Sequence, residues 1–179
     1  MSQIVFLHGA SSSGKSTLAR DLQAAMPNPY WHLSIDHLRD TGILPMQRFR
    51  TKELDWSSHR AQIFAAFHST IAAVATAGNH VILEHILETP GWLDELKQLF
   101  SPFDTVFVGV MCPLETLEQR ELARGDRPIG SAKQDFHNIH NGLRYDLEVD
   151  GTDEVSTNVR LIQSYARKSA RASSFVTLS

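Results

Sequence analysis

The chain has 179 residues, a length that suits one compact domain over residues 1–179 and leaves little room for a second. Its 20 acidic and 17 basic residues give a net charge of −3, which argues against wrapping a nucleic acid, and no apolar stretch approaches the ~20 residues of a membrane-spanning helix. Cys112 is the only cysteine and no basic segment precedes the short apolar run at the N-terminus, so we expect a cytoplasmic protein with no internal disulfide and with neither a nucleic-acid nor a membrane partner.

Short apolar runs alternate with helical segments along the chain. Five runs read as buried strands, at 3–9, 30–36, 80–87, 105–112 and 145–150. Five segments between and after them have helical features, at 15–26, 57–79, 90–100, 113–127 and 153–169. Residues 37–56 fit a short helix and then a loop, and residues 172–179 are predicted to be loosely held. Strands that alternate with helices predict an α/β fold, in which helices cover both faces of a parallel sheet.

The first strand runs into a pattern that is typical of phosphate binding. Gly9 to Ser16 fits G-x-x-x-x-G-K-[ST] between a predicted strand and a predicted helix. The glycines let successive backbone N–H groups point at phosphate oxygens, and the helix directs the positive end of its dipole at the same anion. In this pattern Lys15 reaches the β- and γ-phosphates, and the Ser16 hydroxyl ligates Mg²⁺. The predicted ATP-binding residues are Gly9, Ala10, Ser11, Ser12, Ser13, Gly14, Lys15, Ser16 and Thr17.

The pattern at residues 9–16 is known as a P-loop, and the motifs that the chain lacks exclude several classes of P-loop protein. The chain has no base-reading N/T-K-x-D segment of a GTPase and no L-S-G-G-Q signature of an ABC-type ATPase. What remains is a small kinase, a short single domain with an arginine-bearing lid. Such a kinase positions the γ-phosphoryl group, neutralises its charge and helps to deprotonate an acceptor hydroxyl.

Two acidic residues stand at the carboxyl ends of predicted strands, where open α/β sheets bind their ligands. Asp36 ends the second strand and is the candidate base that takes the proton of the acceptor hydroxyl. The alternative is that Asp36 caps a helix beginning at His37. Glu84 ends the apolar run of the third strand and is a candidate for holding Mg²⁺ through water, together with Ser16. For Glu84, the alternatives are a contact with the acceptor and a surface acid without a role.

Three arginines follow the fourth strand. Arg120, Arg124 and Arg127 are spaced four and three residues apart, and a glycine and a proline are expected to break the helix before Arg127. We expect a lid at about residues 120–135, whose arginines close over the phosphates and stabilise charge in the transition state. A solvated helix face is the alternative, with two acidic residues as ion-pair partners: Glu118 and Glu121.

Several stretches resemble the chloramphenicol phosphotransferase family. Residues 108–150 carry the elements ARGDR, AKQ and H-x-G-x-x-YD-x-EVD, and the stretches HGASSSGKS and SIDHL are similar to the opening of the same family. The likeness runs from about residue 4 to the last helix. It implies that ATP and Mg²⁺ are used to phosphorylate a primary hydroxyl of chloramphenicol. It also implies a fold similar to nucleoside monophosphate kinases, with a parallel five-stranded sheet in the order 2-3-1-4-5.

The resemblance assigns roles and leaves the acceptor open. Asp36 matches the family's aspartate base, Gly9 to Ser16 its P-loop, and the segment RELARGDR its lid arginines. LEHIL stands where the family has an aspartate pair, and most of the predicted acceptor region, residues 37–60, is unlike the family. Our hypothesis is an ATP-dependent phosphotransferase for a hydroxyl of a small molecule, with chloramphenicol as one candidate. A nucleoside, a sugar or another natural product is an alternative acceptor, and a non-catalytic nucleotide-binding regulator is an alternative function. The oligomeric state stays open.

Overall fold

A parallel sheet forms the centre of the computed structural model, which describes residues 1–124, 130–168 and 173–175. The strands are β1 (Gln3–His8), β2 (Tyr30–Ser34), β3 (His80–Glu84), β4 (Asp104–Met111) and β5 (Leu147–Asp150). They stand in the order β2-β3-β1-β4-β5, and each neighbouring pair is parallel. The predicted α/β class and the strand order implied by the resemblance are confirmed.

β1 lies in the middle of the sheet and is apolar on both faces. It pairs with β3 on one side and with β4 on the other. Alternate side chains of a strand point to opposite faces, so Val5 and Leu7 enter one core while Ile4 and Phe6 enter the other. The loop after β1 therefore leaves the sheet at the centre of its carboxyl edge, where open α/β sheets bind ligands.

Helices cover both faces of the sheet. They are α1 (Lys15–Ala25), α2 (Ile35–Asp40), α3 (Met46–Arg50), α4 (Trp56–Thr76), α5 (Trp92–Phe100), α6 (Leu114–Arg124), α7 (Ser131–Asn138) and α8 (Val155–Ala166). α1 and α8 pack over the core that contains Val5 and Leu7, whereas α4 and α5 pack over the core that contains Ile4 and Phe6. Within the described ranges, no helix is both long enough and apolar enough to cross a bilayer.

The chain between β2 and α4 differs from the prediction. β2 ends at Ser34 rather than at Asp36, because the Ser34 hydroxyl accepts a hydrogen bond from the backbone N–H of Asp36 at 3.2 Å and so caps α2. Asp36 thus lies in the first turn of α2 and is not the cap of a helix beginning at His37. The segment after α2 forms α3, and α4 begins after Asp55. The Asp55 carboxylate accepts hydrogen bonds from two backbone N–H groups of the first turn of α4.

Two other elements depart from the sequence analysis. β3 ends at Glu84, before the predicted end at residue 87, and no separate helix was expected where α7 lies. The buried carboxylate of Glu121 in α6 accepts hydrogen bonds from the N–H groups of Gly130 at 2.8 Å and Ala132 at 2.9 Å. This contact satisfies N–H groups at the start of α7 that have no partner inside the helix. A cap supplied from α6 leaves no signal in the sequence of α7 itself.

The expectation of a loosely held C-terminus is wrong for its described part, residues 173–175. Phe175 is only 2% exposed. Its ring lies 5.8 Å from the ring of Phe6 and 5.0 Å from that of Phe107, measured between centroids. Phe175 therefore belongs to the core, although the composition of the tail did not indicate a buried side chain.

Candidate active site

The loop between β1 and α1 has the backbone of a phosphate cradle. Ser12 (φ 66°) and Gly14 (φ 97°) are in the left-handed region, so the loop curls before α1 begins. Gly9 passes so close to β4 that a Cβ there would stand 2.6 Å from the Val110 carbonyl oxygen. Helical hydrogen bonding begins with the N–H of Leu18, which donates to the carbonyl of Gly14 at 3.0 Å. Because the glycine has no side chain to cap α1, the positive end of the helix opens into the loop.

Lys15 is buried against the inside of this loop. Its Nζ donates to the carbonyl oxygens of Gly9 at 2.8 Å and Ala10 at 2.7 Å, and lies 3.5 Å from the Ser13 hydroxyl. A buried ammonium needs such partners, because burial without them is very costly. The contacts hold the positive charge next to the N-terminus of α1, so that an anion entering the loop would meet both.

A buried carboxylate stands beside the loop. Glu84 accepts a hydrogen bond from the Ser16 hydroxyl at 2.6 Å, and its second oxygen lies 3.2 Å from Nε2 of His32. Burial acts to raise the pKa of Glu84, but the hydrogen bonds from His32 and Ser16 and the charge of Lys15 outweigh burial and lower the pKa. An ionised carboxylate beside a hydroxyl offers the oxygen ligands that Mg²⁺ prefers. The structure therefore brings the predicted metal ligands Ser16 and Glu84 together.

Asp36 reaches the same region from α2. Its side chain is 30% exposed and forms an ion pair with Arg39, with 3.1 Å between Oδ1 and Nη1. The guanidinium carbon of Arg39 lies 6.0 Å from the ring centroid of Trp56 in α4. Because the carboxylate keeps accessible surface, the hydroxyl of a bound molecule can approach it, which is the first requirement for a general base.

Most of the predicted residues line one cleft of about 1140 Å³. Those in its lining are Ser11, Ser12, Ser13, Gly14, Lys15, Ser16, Thr17, Asp36, Glu84 and Arg120. Gly9 and Ala10, at the start of the loop, are buried and do not line the cleft. The predicted acceptor region contributes side chains from three helices, among them Arg39 and Trp56. The cleft therefore joins the phosphate cradle to the acceptor region.

Arg120 binds backbone carbonyl groups and does not stand on a solvated helix face. Its Nη2 donates to the carbonyl of Gly151 at 3.0 Å, and its Nη1 donates to the carbonyl of Ser12 at 3.4 Å. Gly151 itself touches the cradle, since a Cβ at this position would overlap the carbonyl oxygen of Ser13. Arg120 thus ties the cradle to the segment that follows β5.

The rest of the predicted lid, residues 120–135, is described in part. Arg124 is the last residue of α6, but its side chain and the whole of Arg127 lie outside the described residues. From α7, the carboxylate of Asp135 accepts a hydrogen bond from the backbone N–H of Ser11 at 2.8 Å. α7 is therefore attached to the cradle, a link that the sequence analysis did not anticipate.

A buried histidine pair lies behind the acceptor side of the cleft. His85 follows Glu84, and its Nε2 lies 3.1 Å from Nε2 of His68, whose Nδ1 lies 2.9 Å from the carboxylate of Glu95. Burial is the main cause that lowers the pKa of His85 to about 3, and the electrostatic influence of His68 adds to it. The ring of His85 is therefore neutral near pH 7.

A second histidine cluster lies at the end of β1. The hydroxyl of Tyr145 is 2.9 Å from Nδ1 of His8 and 2.6 Å from Nδ1 of His140, while Nε2 of His8 is buried without a partner in the described part of the chain. Burial, followed by the influence of His140 and Lys15, holds the pKa of His8 well below its usual value. Burial is also the main cause that lowers the pKa of His140, so both rings are neutral near pH 7.

Among the residues of the site, His32 and Gly151 were not singled out by the sequence analysis. Each lies within two positions of a strand's carboxyl end, and Gly151 directly follows the motif residue Asp150. The rule that ligands gather at this edge of a parallel sheet would have identified the segments, although not which side chain turns inward.

The strand order and the cradle define a class of protein, the P-loop kinases. The APS kinase of Mycobacterium tuberculosis, solved in complex with AMPPNP and APS, has a TM-score of 0.69 and 17% identity, covering 93% of this chain and 98% of that one. A gluconokinase from Sinorhizobium meliloti 1021 has a TM-score of 0.66 and 20% identity, covering 92% and 91%. At these identities the likeness shows the fold.

Family membership is more specific than the fold. The model of the family described as chloramphenicol phosphotransferase-like protein matches residues 2–165, and the chain belongs to this family. Relatives from two strains of Mycobacterium tuberculosis, each named "Putative O-phosphotransferase", are 29% identical over an alignment of 169 residues, and the match covers 84% of this chain and 75% of theirs. The resemblance predicted from the sequence is confirmed, and the chain is placed among the kinase-type phosphotransferases of small molecules.

Proposed function

We propose that the protein transfers the γ-phosphoryl group of ATP to a hydroxyl group of a small molecule. The observation that carries the proposal is the single cleft of about 1140 Å³, whose lining includes both the phosphate cradle and Asp36. A site for one small molecule usually encloses roughly 300–1000 Å³, so this cleft has room for a nucleotide and an acceptor together. Membership of a phosphotransferase family supports the same reaction type.

The residues of the cradle fit a nucleoside triphosphate and a magnesium ion. Lys15 and the open N-terminus of α1 would bind the β- and γ-phosphates. Ser16 and Glu84 would hold Mg²⁺, which when bound neutralises charge on the transferred group. The described residues contain no group of three or more acidic, histidine or cysteine side chains placed to hold a metal. The nucleotide's own phosphates and water would therefore supply most ligands of the ion, as is usual for Mg²⁺.

Asp36 acts on the acceptor. It orients the acceptor hydroxyl and accepts its proton as the hydroxyl oxygen bonds to the γ-phosphorus and the bond to the bridging oxygen of ADP breaks. Arg120 maintains the shape of the cradle through the carbonyls of Ser12 and Gly151. Arg124 and Arg127 remain our candidates for closing over the phosphates, which would exclude water that wastes ATP.

The test is ADP release by the purified protein, with and without candidate acceptors. Chloramphenicol, adenosine and D-gluconate probe three kinds of hydroxyl compound in the presence of ATP and Mg²⁺. We expect at least one hydroxyl compound to stimulate ADP release and to appear as its phosphate ester. Lys15→Ala should remove the stimulation, whereas Lys97→Ala, a lysine of α5 outside the cleft lining, should leave it unchanged.

Two outcomes would contradict the proposal in different ways. Tight ATP binding without stimulation by any hydroxyl compound would favour a non-catalytic nucleotide-binding regulator. Undiminished activity of Lys15→Ala would show that the cradle is not the phosphate site. The identity of the stimulating compound would choose between chloramphenicol, a nucleoside, a sugar and another natural product as the acceptor.

A further inference from the structure

An arginine of α4 stands on the acceptor side of the cleft with its charged end held in place. The guanidinium of Arg60 donates from Nη1 to the Thr89 hydroxyl at 3.0 Å and from Nη2 to the Glu88 carboxylate at 2.7 Å. Its carbon lies 4.8 Å from the ring centroid of Phe64 and 4.7 Å from that of Trp92. The contacts come from α4, α5 and the segment after β3, and together they fix the position of the guanidinium.

The charged end of Arg60 lies among residues of the cleft lining. Arg60 belongs to this lining, and so do Glu88 and Phe64, which its guanidinium contacts. The side chain of Arg60 is 28% exposed and that of Glu88 is 47% exposed. A molecule bound in the cleft can therefore contact the guanidinium.

The surroundings of Asp36 reach Arg60 along α4. Asp36 pairs with Arg39, whose guanidinium carbon lies 6.0 Å from the ring centroid of Trp56. Trp56 and Arg60 are four residues apart on α4, so they share one face of the helix, and both line the cleft. Arg60 thus stands one helical turn beyond the residues around Asp36. An acceptor whose hydroxyl is at Asp36 can place another of its groups at Arg60.

Arg60 offers a ligand hydrogen-bond donors only. A guanidinium has five N–H groups and no acceptor atom. One N–H group donates to Thr89 and one to Glu88, and the others have no acceptor within the described ranges. An acceptor molecule that displaces water from these groups must supply oxygen atoms to them, because unpaired buried donors are costly. A carboxylate fits best, since its two oxygens match the planar fork and its single charge matches one guanidinium.

The charges around this position do not repel a carboxylate. The acceptor side of the cleft is lined by three acidic residues and three arginines: Asp36, Asp40, Glu88, Arg39, Arg50 and Arg60. Asp36 and Glu88 each form an ion pair with an arginine. An entering carboxylate therefore meets no excess of negative charge, and the nearest donors decide where it binds.

We propose that Arg60 is a specificity-determining residue of the acceptor site and that the acceptor is a hydroxy acid, whose carboxylate binds to this guanidinium. Thr89 and Glu88 are positioning residues that hold Arg60 at the cleft. The inference rests on the proposed function, in which Asp36 binds the hydroxyl that is phosphorylated.

The test compares hydroxy acids with their primary amides, which keep the hydroxyl groups and lose the charge. D-gluconate, D-glycerate and quinate are the probes, and ADP release in the presence of ATP and Mg²⁺ is measured. We expect at least one acid to be phosphorylated with a kcat/KM about tenfold or more above that of its amide. Arg60→Gln should remove this difference by lowering the value for the acid alone. Arg48→Gln is the matched control, because Arg48 pairs with Glu53 outside the cleft lining and the difference should remain.

A second variant distinguishes ligand binding from a structural role of the ion pair. In Glu88→Gln the amide oxygen can still accept the hydrogen bond from Arg60, but the competing negative charge is gone. The kcat/KM for the acid should therefore rise, by up to about fivefold, while that for the amide stays the same. A fall in the value for the acid would overturn the inference.

The remaining outcomes separate this inference from the proposed function. Amides that are phosphorylated as well as the acids, equal losses for acid and amide in Arg60→Gln, or stimulation confined to neutral compounds such as chloramphenicol and adenosine would overturn the role of Arg60. Each of these results would leave the phosphotransferase intact. Absence of stimulated ADP release with any hydroxyl compound would instead contradict the proposed function, and this inference with it.

Discussion

Replacing Asp36 by asparagine tests the proposed base, because the amide keeps the shape of the side chain and cannot accept the proton. The fold should tolerate the change. The ion pair with Arg39 is partly solvated and is worth at most about 1 kcal/mol, and the first-turn position in α2 adds about 0.3–1 kcal/mol, against a typical stability of about 5–15 kcal/mol. Loss of a general base should reduce turnover by roughly 10²–10⁴, equivalent to about 2.7–5.4 kcal/mol in the barrier. Chemistry, and not unfolding, should therefore account for the loss.

The assay is steady-state ADP release at saturating ATP, with nucleotide affinity measured separately by calorimetry. Asp36→Asn should bind ATP as the unchanged protein does. Arg39→Gln is the matched control, since it breaks the same ion pair and leaves the carboxylate, and it should lower turnover by less than about tenfold. Turnover of Asp36→Asn within a few-fold of normal would remove Asp36 from the mechanism, and equal losses in both variants would assign the effect to the ion pair.

Four further predictions follow from particular contacts. Glu84→Gln should raise the Mg²⁺ concentration for half-maximal ADP release about tenfold or more, because the ionised partner of the Ser16 hydroxyl is lost; an unchanged Mg²⁺ titration would exclude this carboxylate from the metal site. Gly151→Ala should weaken ATP binding about tenfold or more in calorimetry, because the added methyl group displaces the cradle, and normal affinity would mean that the loop adapts. Phe175→Ala should lower the free energy of unfolding in urea by about 3–5 kcal/mol, and a loss below about 1 kcal/mol would argue against its burial. His8 has a lowered pKa in the folded state, so as the pH falls the unfolded state takes up the proton of this histidine first. The free energy of unfolding should therefore decrease by up to about 1.4 kcal/mol per pH unit below about pH 6.5. His8→Asn should flatten that slope in urea titrations, and an identical slope would refute the lowered pKa of His8.

The cradle and the core strands could be predicted because their signals are local. Gly14 occupies a left-handed backbone position and Gly9 a close approach to β4, and both requirements restrict the residue type at a fixed spacing. The apolar runs of β1, β3 and β4 are buried on both faces, which leaves a continuous pattern in the sequence. The order of the strands is a long-range property, and it came from the family resemblance.

The errors of the sequence analysis arise where a partner is distant. The carboxylate of Glu121 accepts a hydrogen bond at the start of α7, and Phe175 packs into a core formed with β1 and β4. Neither feature leaves a signal in the neighbouring sequence. The end of β2 was misplaced for a different reason. Asp36 and Ser34 are both good capping residues, and only the structure shows that Ser34 accepts the hydrogen bond that begins α2.

The same distinction explains why the sequence identified a phosphotransferase more readily than its acceptor. In the P-loop pattern, backbone N–H groups and one lysine of a single loop bind the phosphates. The binding groups are therefore supplied by consecutive residues, and a sequence motif can reveal them. The acceptor side of the cleft combines side chains of α2, α4 and the segment after β3, which no spacing rule connects to one another. Family members can therefore keep the cradle while changing the acceptor, because substitutions in the acceptor wall leave the phosphate contacts intact.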